Sequence, residues 1–273
     1  MSPSWKVFLR TVAGRAYPRF IGVWREKSWL IFDVFFPLLQ VSAYVYIYRA
    51  IGAPSEFAGF AVLGGAMIAY WMNVLWSMAS QFYWEKETGN LQLYLIAPTS
   101  RMAILLGMAL GGLTATTVRA AAIILAGALL FRVPLEVSDG ALFFGVFILT
   151  LIALYGLGML LSSLFLLWGR EAWHLSNLFQ EPVYLFSGFY FPVRALGFWA
   201  AALASVIPIT LGLDAMRQLL YPRLMENFRF LRVEVELLLL VMLSGVFLAL
   251  ARLALHFFEG LARREGRLTL RGQ

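Results

Sequence analysis

The chain has no cysteine, two histidines, and only three lysines (Lys6, Lys27, Lys86) among 22 basic residues. The lack of cysteine excludes disulfide frameworks and thiolate metal sites. His174 and His256 lie far apart, and neither has neighbours that complete a metal site. Glu171 and His174 form an E-x-x-H pair on one turn, a pattern that recurs by chance, so no metal ligand is assigned. The phosphate-cradling pattern G-x-x-x-x-G-K-[ST] is also missing, so these residues form no P-loop ATPase. No nucleophile, base and orienting group fall together, and no catalytic residue is assigned. Charge is scarce as well, at 14% of 273 residues, against about 25% in an ordinary soluble domain.

Apolar surface is abundant. Hydrophobic residues make up 61% of the chain, too many for one globular core of this size, and a bilayer is the solvent that accepts the excess. A net charge of +7 raises nucleic acid as a partner. The basic residues gather toward the two ends, however, which suits anionic lipid heads and membrane orientation better. The first long apolar run starts near Trp29 and ends at Tyr48-Arg49-Ala50 with no clear small-residue cleavage site, so it reads as a retained span.

A membrane span needs roughly 20 mostly apolar residues. Six segments qualify: Trp29–Tyr48, Phe57–Phe82, Met102–Phe131, Ala141–Trp168, Ala172–Phe191 and Leu237–Phe258. The expected fold is an all-α integral membrane protein of six transmembrane helices in a single transmembrane domain over 1–273. Residues 1–28 form an amphipathic segment, 29–258 the spans and 259–273 a basic tail. Thirteen basic residues fall on the side of both ends and seven on the other, so the positive-inside rule places both ends in the cytoplasm.

Two short elements complete this layout. Trp5, Phe8, Leu9, Val12, Ala13 and Ala16 recur at helical spacing, which predicts an amphipathic interfacial helix. Leu196–Ile207 is apolar but too short to span, Pro208 breaks it, and Thr210–Tyr221 follows. This pattern predicts a re-entrant or external helical hairpin before the last span.

Two stretches resemble the permease subunit of ABC-2-type ABC exporters. The first is Glu85-Lys86-Glu87-Thr88-Gly89-Asn90-Leu91-Gln92-Leu93-Tyr94-Leu95-Ile96-Ala97-Pro98-Thr99-Ser100-Arg101. It matches the family's acidic residue, glycine, leucines and proline, although Asn90 and Gln92 replace the commoner Thr and Glu. The second is Ser187-Gly188-Phe189-Tyr190-Phe191-Pro192, followed by Ile207-Pro208 and Leu213-Asp214-Ala215-Met216-Arg217. It is similar to the family's Ser-Gly-x-x-Phe-Pro, Asn-Pro and Asp-x-x-Arg series, without the asparagine before proline.

The resemblance implies a half-transporter. It would pair with a second copy or a homologous permease and sit on separate ABC ATPase subunits that carry ATP and Mg; no cofactor is expected in this chain. Glu85, Glu87, Gly89, Leu91, Leu95, Pro98 and Arg101 would form the ATPase-coupling element. Gly188, Pro192, Pro208, Asp214 and Arg217 would form the external hairpin. Other expected neighbours are membrane lipid and no nucleic acid. The substrate would be hydrophobic, amphipathic or lipid-linked, exported across the cell membrane. The rival readings are an autonomous secondary transporter or channel, with Glu181 as its main ion-coupling candidate, and a membrane-embedded enzyme.

Charges inside spans are costly, about 2.5–3.5 kcal/mol each on insertion scales, so they face protein or water. Arg119, eighteen residues after Arg101, lies toward the outer leaflet in the third span, where it is expected either to snorkel outward or to line the translocation path or make inter-helix polar contacts. Asp33 lies near the cytoplasmic end of the first. Glu171, His174, Asn177 and Glu181 share one helical arc of the fifth span. That arc is expected to contact a partner helix or line the transport route. Tyr70, Trp71, Trp76, Phe82, Tyr83 and Trp84 are expected to form an interfacial belt and lipid-facing packing.

Overall fold

The computed structural model describes residues 5–25, 27–90, 93, 94, 97, 99–134, 136–168 and 172–264. All regular structure among them is helical. The elements are α1 Trp5–Arg25, α2 Lys27–Ala50, α3 Glu56–Met72, a wide π turn Asn73–Met78, and α4 Gln81–Glu87. They continue with α5 Arg101–Phe131, α6 Gly140–Trp168, α7 Ala172–Phe186, a 3-10 turn Val193–Leu196, α8 Phe198–Ala204, α9 Pro208–Leu220, α10 Pro222–Phe228 and α11 Val233–Arg264.

Among the described residues, five stretches are long and apolar enough to cross a membrane: Ile31–Ala50, Glu56–Glu87, Arg101–Phe131, Gly140–Ser163 and Val233–Phe257. The chain is therefore a multi-pass membrane protein. The expected fifth span is shorter than the sequence suggests. α7 stops at Phe186 because Gly188 takes a positive φ of 68°, which glycine adopts without steric cost. Its 15 residues cover about 22 Å at 1.5 Å per residue, less than the ~30 Å hydrocarbon core. The bent pair α8 and α9, at 113° to each other, is the sixth candidate crossing or a re-entrant loop. Pro208 opens α9 at its first turn, where its missing N–H costs nothing.

The stretch from α3 to α4 is the central rod. α2, α5, α9 and α6 pack around it, and most of α3 is buried. Its small residues allow backbone-close contacts of the kind membrane helices rely on: Gly64 lies directly against the Phe189 carbonyl, and Gly65 against Val41. Tyr70 and Trp71 are consequently buried inside the protein rather than facing lipid, and so is Tyr83, while Trp84 is well exposed; the Phe82 side chain lies outside the described residues. α11 packs along α6.

α1 runs along the first turns of α5. A Cβ on Gly107 would lie 2.6 Å from the Val12 carbonyl oxygen, and one on Gly111 would lie 2.9 Å from that of Ala16. The amphipathic segment is thus docked onto a span through two glycines one turn apart.

Candidate functional site

The first cluster forms where α1, α4 and the segment after α4 converge. Glu85 is 7% exposed, and its carboxylate accepts from three elements. Arg15 Nη2 reaches Oε1 at 2.5 Å, Gln81 Nε2 reaches the same oxygen at 3.0 Å, and the Tyr94 hydroxyl reaches Oε2 at 2.9 Å. The Arg15 guanidinium also stacks over the Tyr94 ring at 4.9 Å. One turn along, Arg19 donates to Gln81 Oε1 and, at 3.4 Å, to the Met108 carbonyl of α5. Thr11 and Thr99 share a hydrogen bond of 2.7 Å. Burial lowers the Arg19 pKa, and the neighbouring Arg15 lowers it further, against the opposing charge of Glu85. Burial, then the hydrogen bond from Tyr94 to Glu85 and the charge of Glu85, push the Tyr94 phenol up to about 12.

Glu85 is therefore not presented to an external surface, as its position in a loop motif suggests; it ties the end of the central rod to α1. Glu87 is half-buried. Gly89, at φ 81°, ends α4 by returning its N–H to the Lys86 carbonyl at 3.0 Å. Arg101 stands half-buried in the first turn of α5. Leu91, Leu95 and Pro98 lie outside the described residues, as does Glu171.

The second cluster lies at the other end of the rod. Arg217, on α9, is 1% exposed. Its guanidinium donates to the carbonyls of Gly188 (2.6 Å), Phe189 (2.5 Å), Phe191 (3.2 Å) and Phe60 (3.1 Å), and it stacks on the Phe60 ring. The fork of one arginine thus closes the turn that ends at Pro192 and pins it to α3. Asp214, one turn earlier, points elsewhere. Its Oδ2 accepts from the Phe230 N–H at 3.0 Å and from Gln218 Nε2 at 2.9 Å. Gln218 also reaches Glu236 of α11 at 3.1 Å. Asp214 and Arg217 form no direct salt bridge, so the hairpin is tied by two separate sets of bonds.

Between the clusters, one pair of intramembrane charges meets. Arg119 of α5 meets Asp33 of α2 at 2.9 Å. The expectation that Arg119 snorkels outward is corrected, because a neighbouring helix supplies its counter-charge. His174, Asn177 and Glu181 of α7 are all exposed in the single chain. Gln180 is partly buried and accepts from Trp76 Nε1 at 2.7 Å. Arg15, Arg19, Gln81, Tyr94, Gln218 and Glu236 were not singled out from sequence. The four-residue spacings Arg15–Arg19 and Gln81–Glu85 were the available signal for the first cluster.

The protein named "Probable multidrug ABC transporter permease YbhR" of Escherichia coli (strain K12) is 29% identical over 135 residues, 50% of this chain and 36% of that protein. The protein of the same name from Escherichia coli O157:H7 gives the same figures. The chain thus aligns with about a third of the length of these curated relatives. No solved structure matches. The family model described as ABC-2 type transporter matches residues 17–221, a range that includes Glu85 and Arg217, and the chain belongs to that family.

Proposed function

We propose that this chain is the membrane permease subunit of an ATP-driven exporter. In this reading the energy comes from ABC ATPase subunits that bind ATP and Mg, and the substrate is hydrophobic, amphipathic or lipid-linked. The observation that carries the reading is the Glu85 cluster. A buried carboxylate there joins the end of the central rod, the docked helix α1 and the Tyr94 segment into one plate. A plate of this kind accepts a push over an area and delivers it to a buried helix. Family membership supports the assignment. So does the name of the two relatives, which describes multidrug transport. No P-loop occurs in these residues, so hydrolysis is assigned to a separate subunit.

The plate is placed on the cytoplasmic side and the α8–α9 hairpin outside, on the charge distribution of the sequence. Exposed Phe198, Trp199 and Leu203 on α8 suit an element that dips into the bilayer surface. The polar arc of α7 is assigned to the seam with a second permease copy, lining the route. An exposed glutamate, histidine and asparagine on one helix at membrane depth are too costly to face hydrocarbon.

The test is co-expression with candidate ATPase subunits. These should co-purify with the chain and show substrate-stimulated hydrolysis that the permease alone lacks. Hydrolysis by the isolated permease, or no retained ATPase from any candidate, sinks the reading. Because the chain has no cysteine, a single Asn177→Cys reports the seam cleanly. A disulfide-linked dimer in membranes supports the assignment, and monomer alone refutes it.

A further inference from the structure

α9, the turn after α10 and the start of α11 are joined at one side chain, Gln218. Its amide nitrogen lies 2.9 Å from Asp214 Oδ2, 2.9 Å from the Leu231 carbonyl and 3.1 Å from Glu236 Oε2. An amide nitrogen carries two hydrogens, so three acceptors compete for two donors. The Phe230 N–H serves Asp214 Oδ2 as well, and the Leu231 N–H serves Glu236. The other oxygen of each acid, Asp214 Oδ1 and Glu236 Oε1, is buried without a partner. Asp214 is 2% exposed and Glu236 0%. Two carboxylates held on one nitrogen and shut away from water repel each other, and both stay ionised only if cations balance both.

The surroundings supply one cation. Arg217, one turn along α9, gives its donors to four carbonyls, and its charge still acts on Asp214. Glu56 of α3 acts on Tyr221. Arg194, Arg223, Glu226, Arg229, Arg232 and Glu234 on the neighbouring turns and helices are exposed. α6 packs against both α9 and α11 and has no titratable residue from Gly140 to Leu154. One cation against two acids leaves one negative charge to neutralise. A hard metal ion does not fit, because it takes six or more oxygen ligands, and here N–H groups of Gln218 and Phe230 are aimed at the acids. A proton needs no room. It neutralises one acid and creates the O–H donor that the two unpartnered oxygens lack.

We propose that Asp214 and Glu236 form a proton-binding site that clasps the hairpin to α11. The proton comes from the solution on the hairpin side and returns there when the clasp opens. In the open state both acids are solvated and ionised above about pH 5, so closing takes up one proton. Closure is therefore favoured by acid on that side and weakens as pH rises. The site is separate from the Glu85 cluster and does not depend on what is transported.

Hydrogen-exchange mass spectrometry of the full-length permease tests this, with protection corrected for the intrinsic amide rate at each pH. In wild type, protection of peptides covering 225–236 should fall about tenfold per pH unit from about pH 6 to 8, the slope for one proton bound on closure. Glu236→Gln carries a built-in N–H donor in place of the proton, so its protection should be flat over this range. Asp214→Asn leaves one acid for the one cation and should also be flat. Peptides around Glu85 should be flat in all three proteins. Flat protection at 225–236 in wild type overturns the site, and this arm needs no variant. A uniform loss of protection in Glu236→Gln and Asp214→Asn that keeps the wild-type slope also overturns it, since that is what a purely structural role produces.

Discussion

Arg15 of α1 and Glu85 of α4 are 70 positions apart in sequence and meet at 2.5 Å. The first lies on a helix docked outside the bundle and the second closes the central rod, so the two move as one body.

This pair should behave as a coupled unit. Glu85→Gln and Arg15→Met should each destabilise the purified permease by about 1–3 kcal/mol, the range for a buried partner left unsatisfied. Each should also lower ATPase-subunit retention. Combining Arg15→Glu with Glu85→Arg should recover a good part of both, because the charges still meet. Additive losses in a thermal-shift double-mutant cycle would remove the plate from the argument.

Partner association should also be insensitive to pH where proteins are usually handled. Tyr94 has a folded pKa of about 12, above the ordinary value near 10. Its contribution is therefore complete below about pH 10 and is lost as pH rises through about 12. Retention of the ATPase by wild type should be flat from about pH 7 to 9 and fall only above 10. Tyr94→Phe should abolish that upper limb and leave the rest of the profile in shape. A limb that survives the substitution assigns the titration to another group.

The Asp33–Arg119 pair predicts that single neutralisations are worse than a double one. Asp33→Leu leaves a cation at membrane depth, which costs about 2.5–3.5 kcal/mol on insertion scales. Membrane-inserted yield should drop. Asp33→Leu with Arg119→Leu removes both charges and should restore it. If quantitative immunoblots of membrane fractions show the double variant no better than either single, the pair is not the stabilising partnership.

Arg217 should tolerate nothing. Lysine offers three donors at one point where the guanidinium serves four carbonyls in a plane, so Arg217→Lys leaves buried acceptors unpaired at about 1–3 kcal/mol each. Thermal unfolding should shift down markedly for Arg217→Lys and further for Arg217→Met. Arg194→Met, at a residue that makes an exposed contact to the Arg229 carbonyl, should stay near wild type. A near-normal melting profile for Arg217→Lys would refute the anchoring role.

Much of the helical plan is legible in the sequence, because runs of apolar residues at bilayer length have few other uses. α5 and α6 begin within a residue of the positions read from Met102 and Ala141. The fifth span is overextended in that reading because Phe189, Tyr190 and Phe191 are apolar. Their apolar character serves a turn whose carbonyls Arg217 collects, and hydropathy does not distinguish a buried turn from a helix. The charges were harder to read. Arg119 reads as a lone cation until α2 is laid beside α5. Glu85 reads as a surface acid until Arg15 and Tyr94 close over it. Each depends on a contact between distant segments, which one chain's periodicity does not encode.

The wide turn at Asn73–Met78 bears on how a push at Glu85 travels. The Ala79 N–H reaches back five residues, to the Val74 carbonyl at 3.0 Å, so the rod contains one surplus residue in its winding. Moving such a surplus one position along a helix re-aims one side chain by about 100° and leaves the ends in place. Asn73 and Trp76 sit in this turn and hold Tyr155 of α6 and Gln180 of α7. In the proposed exporter the rod would therefore act as a swivel rather than a piston: displacement entering at the Glu85 end would become torsion at the wide turn, while the hairpin end is held by Arg217.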